Sequence, residues 1–257
     1  MKQLIQRFLS KLGYRVVRLE ALQPATANQP VEFSAEETAI IDLVLHKQLT
    51  MVSRERLYAT VMACKHVLTQ SIPGDFVECG VWRGGNSIVA AHLFARGDGA
   101  RSVYLFDTFA GMTAPSPQDL RARDNRDAMI DYIAHQRETH NEWCYASLPD
   151  VARNFSDLNL LRPNIKFVEG DVVESLKSEA NLPETISVLR LDTDWYESTR
   201  TELEVLYPRL SPGGVLILDD YGHWGGAKKA VDEYFENRPR PLLQYTDYTG
   251  RMGVKLA

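Results

Sequence analysis

The sequence lacks the features that would place it in a membrane or on a nucleic acid. No apolar run approaches the roughly 20 residues of a membrane span, and the N-terminus has neither a signal-peptide core nor a small-residue cleavage site. There is no long Lys/Arg block, and the formal charge is -5, whereas binding to a phosphate backbone needs clustered positive charge. We therefore expect no integral membrane association and no nucleic-acid partner.

Cysteine and zinc-type patterns are also scarce. The three cysteines are scattered without metal-type spacing, and their odd number suits a reducing compartment. None of the six histidines lies in a paired zinc spacing, which disfavours zinc. These features predict a cytoplasmic protein.

The two common phosphate-binding glycine motifs are absent, although a glycine-rich turn is present. In residues 75–87 (DFVECGVWRGGNS) an apolar run reaches Glu78, a glycine-rich turn follows, and residues 88–94 have a helical pattern. The segment matches neither GxGxxG nor GxxxxGK[ST], so a pyrophosphate ligand is not favoured. Because glycine has no Cβ, such a turn lets a ligand approach the backbone. We expect a ligand without phosphates that carries an amino or positively charged group near Glu78, the alternative being a tight turn without a ligand.

Strand-like and helix-like segments alternate after this turn. The short apolar runs are typical of strands buried on both faces, which predicts a parallel, doubly wound α/β sheet. They lie at residues 103–106, 165–168, 188–191 and 215–218, and a closing antiparallel hairpin is expected from 243–245 and 253–256. Two helices are expected before the sheet, with Ser34 and Ser53 as their N-caps.

Two segments stand apart from this alternation. Residues 1–30 predict an amphipathic helix and a polar linker, which docks on the body or on a dimer partner, or contacts a membrane surface. Residues 31–257 then form one domain. Within it, the polar stretch 112–150 interrupts the alternation after the second strand, where an insertion would lie over the ligand crevice. We expect it to act as a lid, with a neutral surface excursion as the alternative.

Acidic residues follow four of the predicted strands. Asp107 could accept hydrogen bonds from two ribose hydroxyls, and Asp171, next to Gly170, could meet an adenine amino group; both could equally cap helices. The segments 191–194 (LDTD) and 218–221 (LDDY) place four carboxylates at neighbouring strand ends. Like charges this close repel unless a cation or protons compensate. A hard ion such as Mg²⁺ on Asp192, Asp219 and Asp220 is therefore expected, with helix-capping acids as the alternative.

Several segments together resemble the macrocin O-methyltransferase family, whose members use S-adenosylmethionine and a metal to modify natural products. The resemblance covers residues 51–235 and includes TMVSRERLYA, DFVECGVWRGGNS, VYLFDTFAGM and LRLDTDWYESTRTELEVLYPRLSPGGVLILDDYGHWGGAKKAVDEYF. It implies a Rossmann-like class I methyltransferase fold with a mostly parallel, seven-stranded sheet. It also implies a homodimer, S-adenosylmethionine on the turn and Mg²⁺ on the three aspartates named above. The cofactor-binding residues expected are Glu78, Gly80, Gly84, Asn86, Ser87, Asp107, Thr108, Phe109, Gly170 and Asp171.

Metal-assisted methylation of a sugar or phenolic hydroxyl is the function that this resemblance implies. Related catechol-type enzymes carry a lysine three positions after the first metal acid, but Trp195 occupies that position. We expect Asp194 to act as the base, with His223 as second choice, and Asp192 to share in catalysis. The alternatives are a non-catalytic cofactor-binding or scaffold protein and an NAD-dependent oxidoreductase of similar topology.

Overall fold

A computed structural model describes residues 30–97, 99 and 101–256 of the chain. The strands are β1 (Asp75–Cys79), β2 (Val103–Asp107), β3 (Ile165–Glu169), β4 (Ile186–Leu191), β5 (Leu210–Leu218), β6 (Gln244–Tyr245) and β7 (Arg251–Val254). The helices are α1 (Ala35–His46), α2 (Arg54–Thr69), α3 (Gly85–Arg96), α4 (Ala128–His135), α5 (Leu148–Asp157), α6 (Val172–Ser175), α7 (Tyr196–Val205) and α8 (Gly225–Tyr234). The predicted alternation of strands and helices is confirmed.

The strands form one seven-stranded sheet in the order β3-β2-β1-β4-β5-β7-β6. Strands β1 to β5 are parallel, whereas β7 runs antiparallel to both β5 and β6. The chain builds outward from β1 to β3 and then returns to the other side of β1 with β4. Such a reversal opens a crevice at the carboxyl ends of β1 and β4, which is where open α/β sheets bind ligands.

The apolar runs are strands because the sheet is covered on both faces. Every residue of β4 is buried, as are four of the five residues of β1. Their side chains pack with those of neighbouring strands and helices in a core that includes Phe106, Leu189 and Leu216. Arg190 is an exception within β4, since a charged side chain there is only 1% exposed. A buried charge of this kind requires partners.

The two predicted serine caps are present. Ser53 Oγ accepts a hydrogen bond from the Arg56 amide at 3.2 Å at the start of α2. Before α1, Ser34 Oγ accepts from the Glu37 amide at 3.2 Å, and Glu37 Oε2 accepts from the Ser34 amide at 2.7 Å. The second pair is a reciprocal capping box, which satisfies two helix-end amides at once.

The chain divides into two compact units, Met1–Thr38 and Ala39–Ala257. Residues 30–38 of the first unit are described, and they contain the beginning of α1; the amphipathic helix and linker expected before them lie outside the described residues. The second unit holds the whole sheet. Among the described residues, no helix has the length and apolar character needed to cross a membrane.

Candidate active site

A cavity of about 300 Å³ lies at the carboxyl ends of β1, β2, β4 and β5. Its polar floor includes Glu78, Asp107, Asp192 and Asp219, each at or next to the end of one of these strands. The walls come from the start of α2, from the insertion and from the β6–β7 turn: Thr50, Met51, Val52, Arg56, Met112, Trp143, Cys144, Tyr248 and Thr249. A second cavity of about 60 Å³ adjoins the first. The two cavities share Gly80, Asp107 and Asp192 in their walls, so the ends of three strands border both.

The glycine-rich turn after β1 packs directly on the turn after β4. Gly80 has a φ of +80°, in the left-handed region that glycine adopts without strain. A Cβ at this position would overlap the carbonyl oxygen of Asp192. The Asp192 amide donates to the Cys79 carbonyl at 2.8 Å, which joins the two turns. Gly80 also lines both cavities, so it is required for protein contact as well as for ligand access.

Of the remaining predicted residues in the glycine-rich turn, one lines the larger cavity and two pack behind the turn. Asn86 lines the larger cavity, and its Oδ1 accepts from Thr60 Oγ1 at 2.8 Å. Ser87 is fully buried, and its hydroxyl donates to Glu78. Gly84 is the N-cap of α3 with a φ of +88°, and a Cβ at this position would lie 3.0 Å from the Phe155 ring. Among the predicted cofactor residues, Gly84 and Ser87 therefore shape the turn from behind.

Glu78 is held by protein groups on both of its oxygens. Oε1 accepts from Arg190 at 2.7 Å, and Oε2 accepts from the Ser87 hydroxyl. Burial raises the pKa of Glu78 to about 7, although Arg190 and Ser87 act in the opposite direction. The carboxyl still contributes to the cavity floor. Any contact with an amino group of a ligand would add to these two internal bonds.

Asp107 ties the end of β2 to the glycine-rich turn. Its Oδ2 accepts from the amides of Val81 at 2.7 Å and Trp82 at 3.1 Å, and its Oδ1 accepts from the Phe109 amide at 2.7 Å. Burial raises the pKa of Asp107, and these backbone bonds oppose the rise. Asp107 lines both cavities, so the same carboxylate fixes the turn and faces the ligand space.

The smaller cavity is lined by Thr108, Gly170 and Asp171 among the residues predicted for the cofactor. Asp171 also caps α6, because its Oδ1 accepts from the Val173 amide at 2.9 Å. The capping role considered for Asp171 is therefore present, and it leaves the residue at the cavity wall. Phe109 is 5% exposed and packs edge-on against another phenylalanine ring.

Three aspartates converge at the floor of the larger cavity. One oxygen each from Asp192, Asp194 and Asp220 lie within 4.8 Å of one another. Burial raises the pKa of Asp194 to about 7, and burial with mutual repulsion raises those of Asp192 and Asp220. Asp220 Oδ2 is buried and has no hydrogen-bond partner within the part of the chain that the structure describes. Such an oxygen-rich, under-neutralised group fits a hard divalent cation.

Arg190 lies beneath this group and joins three acids. One guanidinium nitrogen donates to Glu78 Oε1 and to Asp192 Oδ2, both at 2.7 Å, and another nitrogen donates to Asp219. Burial opposes a charge here, but the three carboxylates hold the pKa of Arg190 above its usual value. Because Glu78 and Arg190 are paired in the β1–β4 register, the ion cluster follows from the strand alignment.

Arg56 supplies a second cation from α2. It donates to the Asp219 oxygen that Arg190 does not use, and its Nε lies 3.1 Å from Asp247 Oδ2. Both oxygens of Asp219 are therefore bonded to arginines. The sequence predicts Asp192, Asp219 and Asp220 as the metal ligands. In the structure, Asp194 takes the place of Asp219 in the group of three aspartates whose oxygens lie close together.

His223, the alternative base, lines the larger cavity. Its Nδ1 lies 3.0 Å from the Tyr248 hydroxyl. Burial lowers the pKa of His223, and the charges of Arg121 and Arg123 lower it further. The imidazole is therefore neutral near pH 7 and able to accept a proton.

The insertion is fastened to the two turns that carry the acids. Trp143 packs against Trp195 and Trp224, with ring centroids 5.6 Å and 6.0 Å away. The indole nitrogen of Trp195 donates to the Thr113 carbonyl at 3.0 Å. The tryptophan that replaces the lysine of catechol-type enzymes is thus 3% exposed and holds the insertion against the site.

Asp119 makes a further connection from the insertion. It is fully buried, its Oδ1 accepts from the Tyr196 amide at 2.7 Å, and its Oδ2 accepts from the amide and hydroxyl of Ser116, both at 2.7 Å. A Cβ on Gly226 would overlap the same carboxylate. Asp119 therefore joins the insertion to the beginnings of α7 and α8.

Sequence reasoning did not identify Arg190, Arg56 or Asp119 as part of the site. Arg190 carried a usable signal, since an arginine within an otherwise apolar strand (ISVLRL) must find buried partners. Arg56 and Asp119 gave no comparable signal, because each lies in a polar segment where charged residues are ordinary.

The sheet order, the glycine turn after β1 and the acids at the strand ends define a class I methyltransferase, with a Rossmann-like α/β fold. A solved structure, that of the O-methyltransferase NovP, is similar to the chain with a TM-score of 0.70 and 32% sequence identity, covering 81% of this chain and 82% of that one.

The chain belongs to the family described as Macrocin-O-methyltransferase (TylF), whose sequence model matches residues 8–250. It is 39% identical to 8-demethyl-8-(2,3-dimethoxy-alpha-L-rhamnosyl)-tetracenomycin-C 4'-O-methyltransferase of Streptomyces olivaceus, over 72% of this chain and 67% of that protein. It is 36% identical to demethyldecarbamoylnovobiocin O-methyltransferase of Streptomyces niveus, with the same coverage. The protein is an S-adenosylmethionine-dependent O-methyltransferase, as expected from its sequence.

Proposed function

We propose that this enzyme methylates a sugar or phenolic hydroxyl of a small-molecule natural product or glycan precursor, with the assistance of Mg²⁺. The observation that carries the proposal is the convergence of Asp192, Asp194 and Asp220 on a cavity that is also lined by Gly80. The relatives support the acceptor class, since the name of one describes methylation of a rhamnosyl-bearing tetracenomycin.

The methyl donor would lie along the glycine-rich turn and extend into the smaller cavity. Gly80 and Asp107 border both cavities, which supports a ligand that spans them. Thr108, Gly170 and Asp171 would surround its nucleoside end. S-adenosylmethionine supplies an electrophilic methyl group, so the protein must hold the acceptor oxygen in line with the methyl carbon.

Asp192 and Asp220 would hold the metal, together with Asp194 or Asp219. The unpartnered oxygen of Asp220 supports a cation at this position. To bind the metal, Asp219 would have to share one of its oxygens between the metal and an arginine. An oxygen of Asp194, in contrast, already lies close to oxygens of Asp192 and Asp220. When bound, Mg²⁺ lowers the pKa of a coordinated hydroxyl and fixes its direction.

Asp194 is the proposed base, with Asp192, Asp219 and Asp220 on the metal; His223 is the second choice and takes this role if Asp194 itself binds the metal. Asp194 lies on the cavity floor, and burial raises its pKa to about 7, which suits a group that takes a proton near neutral pH. His223 is neutral and also borders the cavity, and the contact of its Nδ1 with Tyr248 leaves Nε2 for the acceptor.

The insertion 112–150 is the proposed acceptor-side wall of residues 31–257. Met112, Trp143 and Cys144 border the cavity and present apolar surface to an aglycone or a sugar ring. We further propose a cytoplasmic homodimer, in keeping with three free cysteines and with the amphipathic pattern of residues 1–20.

The experiment supplies methyl-labelled S-adenosylmethionine and a panel of rhamnosides, other deoxysugar glycosides and phenols. We expect label on a hydroxyl oxygen, loss of transfer on chelation and recovery with Mg²⁺. Asp220→Asn should lower the rate at least about 100-fold, since it removes a metal ligand. The matched control is Asp232→Asn, whose carboxylate pairs with Lys228 at 2.5 Å on α8.

Transfer that survives both chelation and Asp220→Asn would refute the metal assignment. Asp194→Asn and His223→Gln separate the two candidate bases. Asp194→Asn, which removes the proposed base, should lower kcat about 100-fold or more, whereas His223→Gln should lower it much less. A larger loss of kcat in His223→Gln than in Asp194→Asn would identify His223 as the base.

A further inference from the structure

We propose that Glu202 is a positioning residue for methyl transfer, which acts through the Thr193 hydroxyl to hold the turn that carries Asp192 and Asp194. Glu202 lies on α7 and is 0% exposed. The Thr193 Oγ1 donates to Glu202 Oε1 at 2.8 Å. Glu202 thus contacts the turn on the side away from the larger cavity. It is bonded to neither Asp192 nor Asp194, and it does not line that cavity.

The turn needs to be held because its backbone is strained. Asp194 has a φ of +70°, in the left-handed region that side-chain-bearing residues rarely adopt. Such a backbone conformation is strained and persists only where its surroundings fix it. The Thr193 carbonyl accepts from the Trp195 amide at 2.8 Å, and the Thr193 hydroxyl is bonded to Glu202. The residue before Asp194 is therefore fixed on both its backbone and its side chain.

The same turn separates the two cavities. Thr193 lines the smaller cavity, Asp194 lines the larger one, and Asp192 borders both. A rotation of the turn would move the carboxylates and the wall of the nucleoside space together. Holding Thr193 therefore aligns the acids with the donor side of the site.

A buried carboxyl at position 202 is less favourable for stability than an apolar side chain would be. Its Oε2 is buried and accepts no hydrogen bond of ordinary geometry within residues 30–97 and 101–256. A buried polar atom without a well-formed hydrogen bond destabilises the fold, whereas an apolar side chain on this face of α7 would avoid that cost. The Thr193 hydroxyl donates to Oε1, and the Cys79 thiol also interacts with the carboxyl, so Glu202 connects α7 to the ends of both β4 and β1. Burial raises the pKa of Glu202 to about 8, so the group is mostly uncharged near pH 7 and glutamine resembles it closely.

The test compares Thr193→Val, Glu202→Leu and Glu202→Gln with the unchanged protein. The first two remove the hydrogen bond, and Thr193→Val does so with almost no change in shape. Glu202→Gln retains an oxygen acceptor. The matched control is Thr201→Val on the same helix, where the hydroxyl donates to the Glu197 carbonyl at 2.9 Å. Two quantities are measured: amide hydrogen exchange in a peptide covering residues 192–196, and affinity for Mn²⁺ alone.

We expect Thr193→Val and Glu202→Leu to accelerate exchange in that peptide at least about tenfold. We also expect them to weaken Mn²⁺ binding about 10–100-fold, the range seen when support behind metal ligands is lost. Glu202→Gln and Thr201→Val should stay within about threefold of the unchanged protein. The double variant Thr193→Val/Glu202→Leu should lose no more than either single variant, because both remove one bond.

Unchanged exchange in Thr193→Val would overturn the proposal, as would a Glu202→Gln protein that behaves like Glu202→Leu. The proposal rests on the proposed function only for the Mn²⁺ measurement. If the unchanged protein binds no Mn²⁺, the metal assignment fails, and the exchange comparison still decides the role of Glu202. If Glu202→Leu does not fold, Thr193→Val and Glu202→Gln carry the comparison.

Discussion

Replacing Arg190 with methionine should destabilise the protein by about 3–5 kcal/mol, since it removes the cation from a buried ion cluster while its acids remain. Arg190 is 1% exposed and contacts side chains of Glu78, Asp192 and Asp219 that are 2%, 23% and 3% exposed. Asp219 retains Arg56, and Glu78 retains the Ser87 hydroxyl. The loss should therefore stay within this range and not reach the sum of three broken ion pairs.

Urea denaturation measures this loss, and its pH dependence identifies the cause. Burial already raises the pKa of Glu78 to about 7, and removal of Arg190 should raise it further. A carboxyl with a raised folded-state pKa stabilises the protein at low pH, and that contribution is lost as the pH rises through the folded-state pKa. The deficit of Arg190→Met should therefore be larger near about pH 8.5 than near about pH 6.

The control for this change is Arg209→Met. Arg209 pairs with Glu179 at 2.8 Å, with side chains 27% and 81% exposed, so its loss should cost less than about 1 kcal/mol. Adding Glu78→Gln to Arg190→Met should recover part of the stability, because it removes an uncompensated charge. A deficit below about 1 kcal/mol, or one that does not change with pH, would refute the electrostatic explanation.

Three further changes test other parts of the site. Gly80→Ala should abolish S-adenosylhomocysteine binding in calorimetry, because its Cβ would overlap the Asp192 carbonyl, whereas Gly99→Ala, with φ +64° and open space around it, should bind normally. Glu202→Gln should flatten the decline in urea stability expected between about pH 5 and pH 9, since burial raises the pKa of Glu202 to about 8; an unchanged decline would contradict this. Asp119→Ala should lower the unfolding free energy by about 1–2 kcal/mol, as loss of a helix cap does, and an unaltered urea midpoint would contradict the capping role.

The sheet was predictable because its signals are local. Runs such as ISVLRL and VLIL are buried strands in the structure, and Ser34 and Ser53 cap helices as their spacing indicates. Residues at the carboxyl ends of parallel strands must meet at one edge, so the gathering of Asp107, Asp192 and Asp220 followed from strand assignment alone.

The ion pairing was not predictable because it depends on distant partners. Arg56 and Asp219 are 163 positions apart, and nothing near either residue indicates the other. The sequence showed four carboxylates in need of compensation, and a metal was the simplest source of positive charge. The structure supplies part of that charge from Arg190 and Arg56. Likewise, the polar composition of residues 112–150 indicated a surface segment but concealed the fully buried Asp119.

The attachment of the insertion has a consequence for engineering acceptor range. Surface loops tolerate changes because few contacts tie them to the elements that they connect. Here, however, Asp119 and Trp143 contact the first residues of α7 and α8 and the tryptophans that precede them. A graft of residues 112–150 alone would therefore leave Trp195 and Trp224 facing foreign partners. The smallest exchangeable unit comprises the insertion and both of those helix starts, so an exchange of the proposed acceptor-side wall also carries the residues that follow the acids.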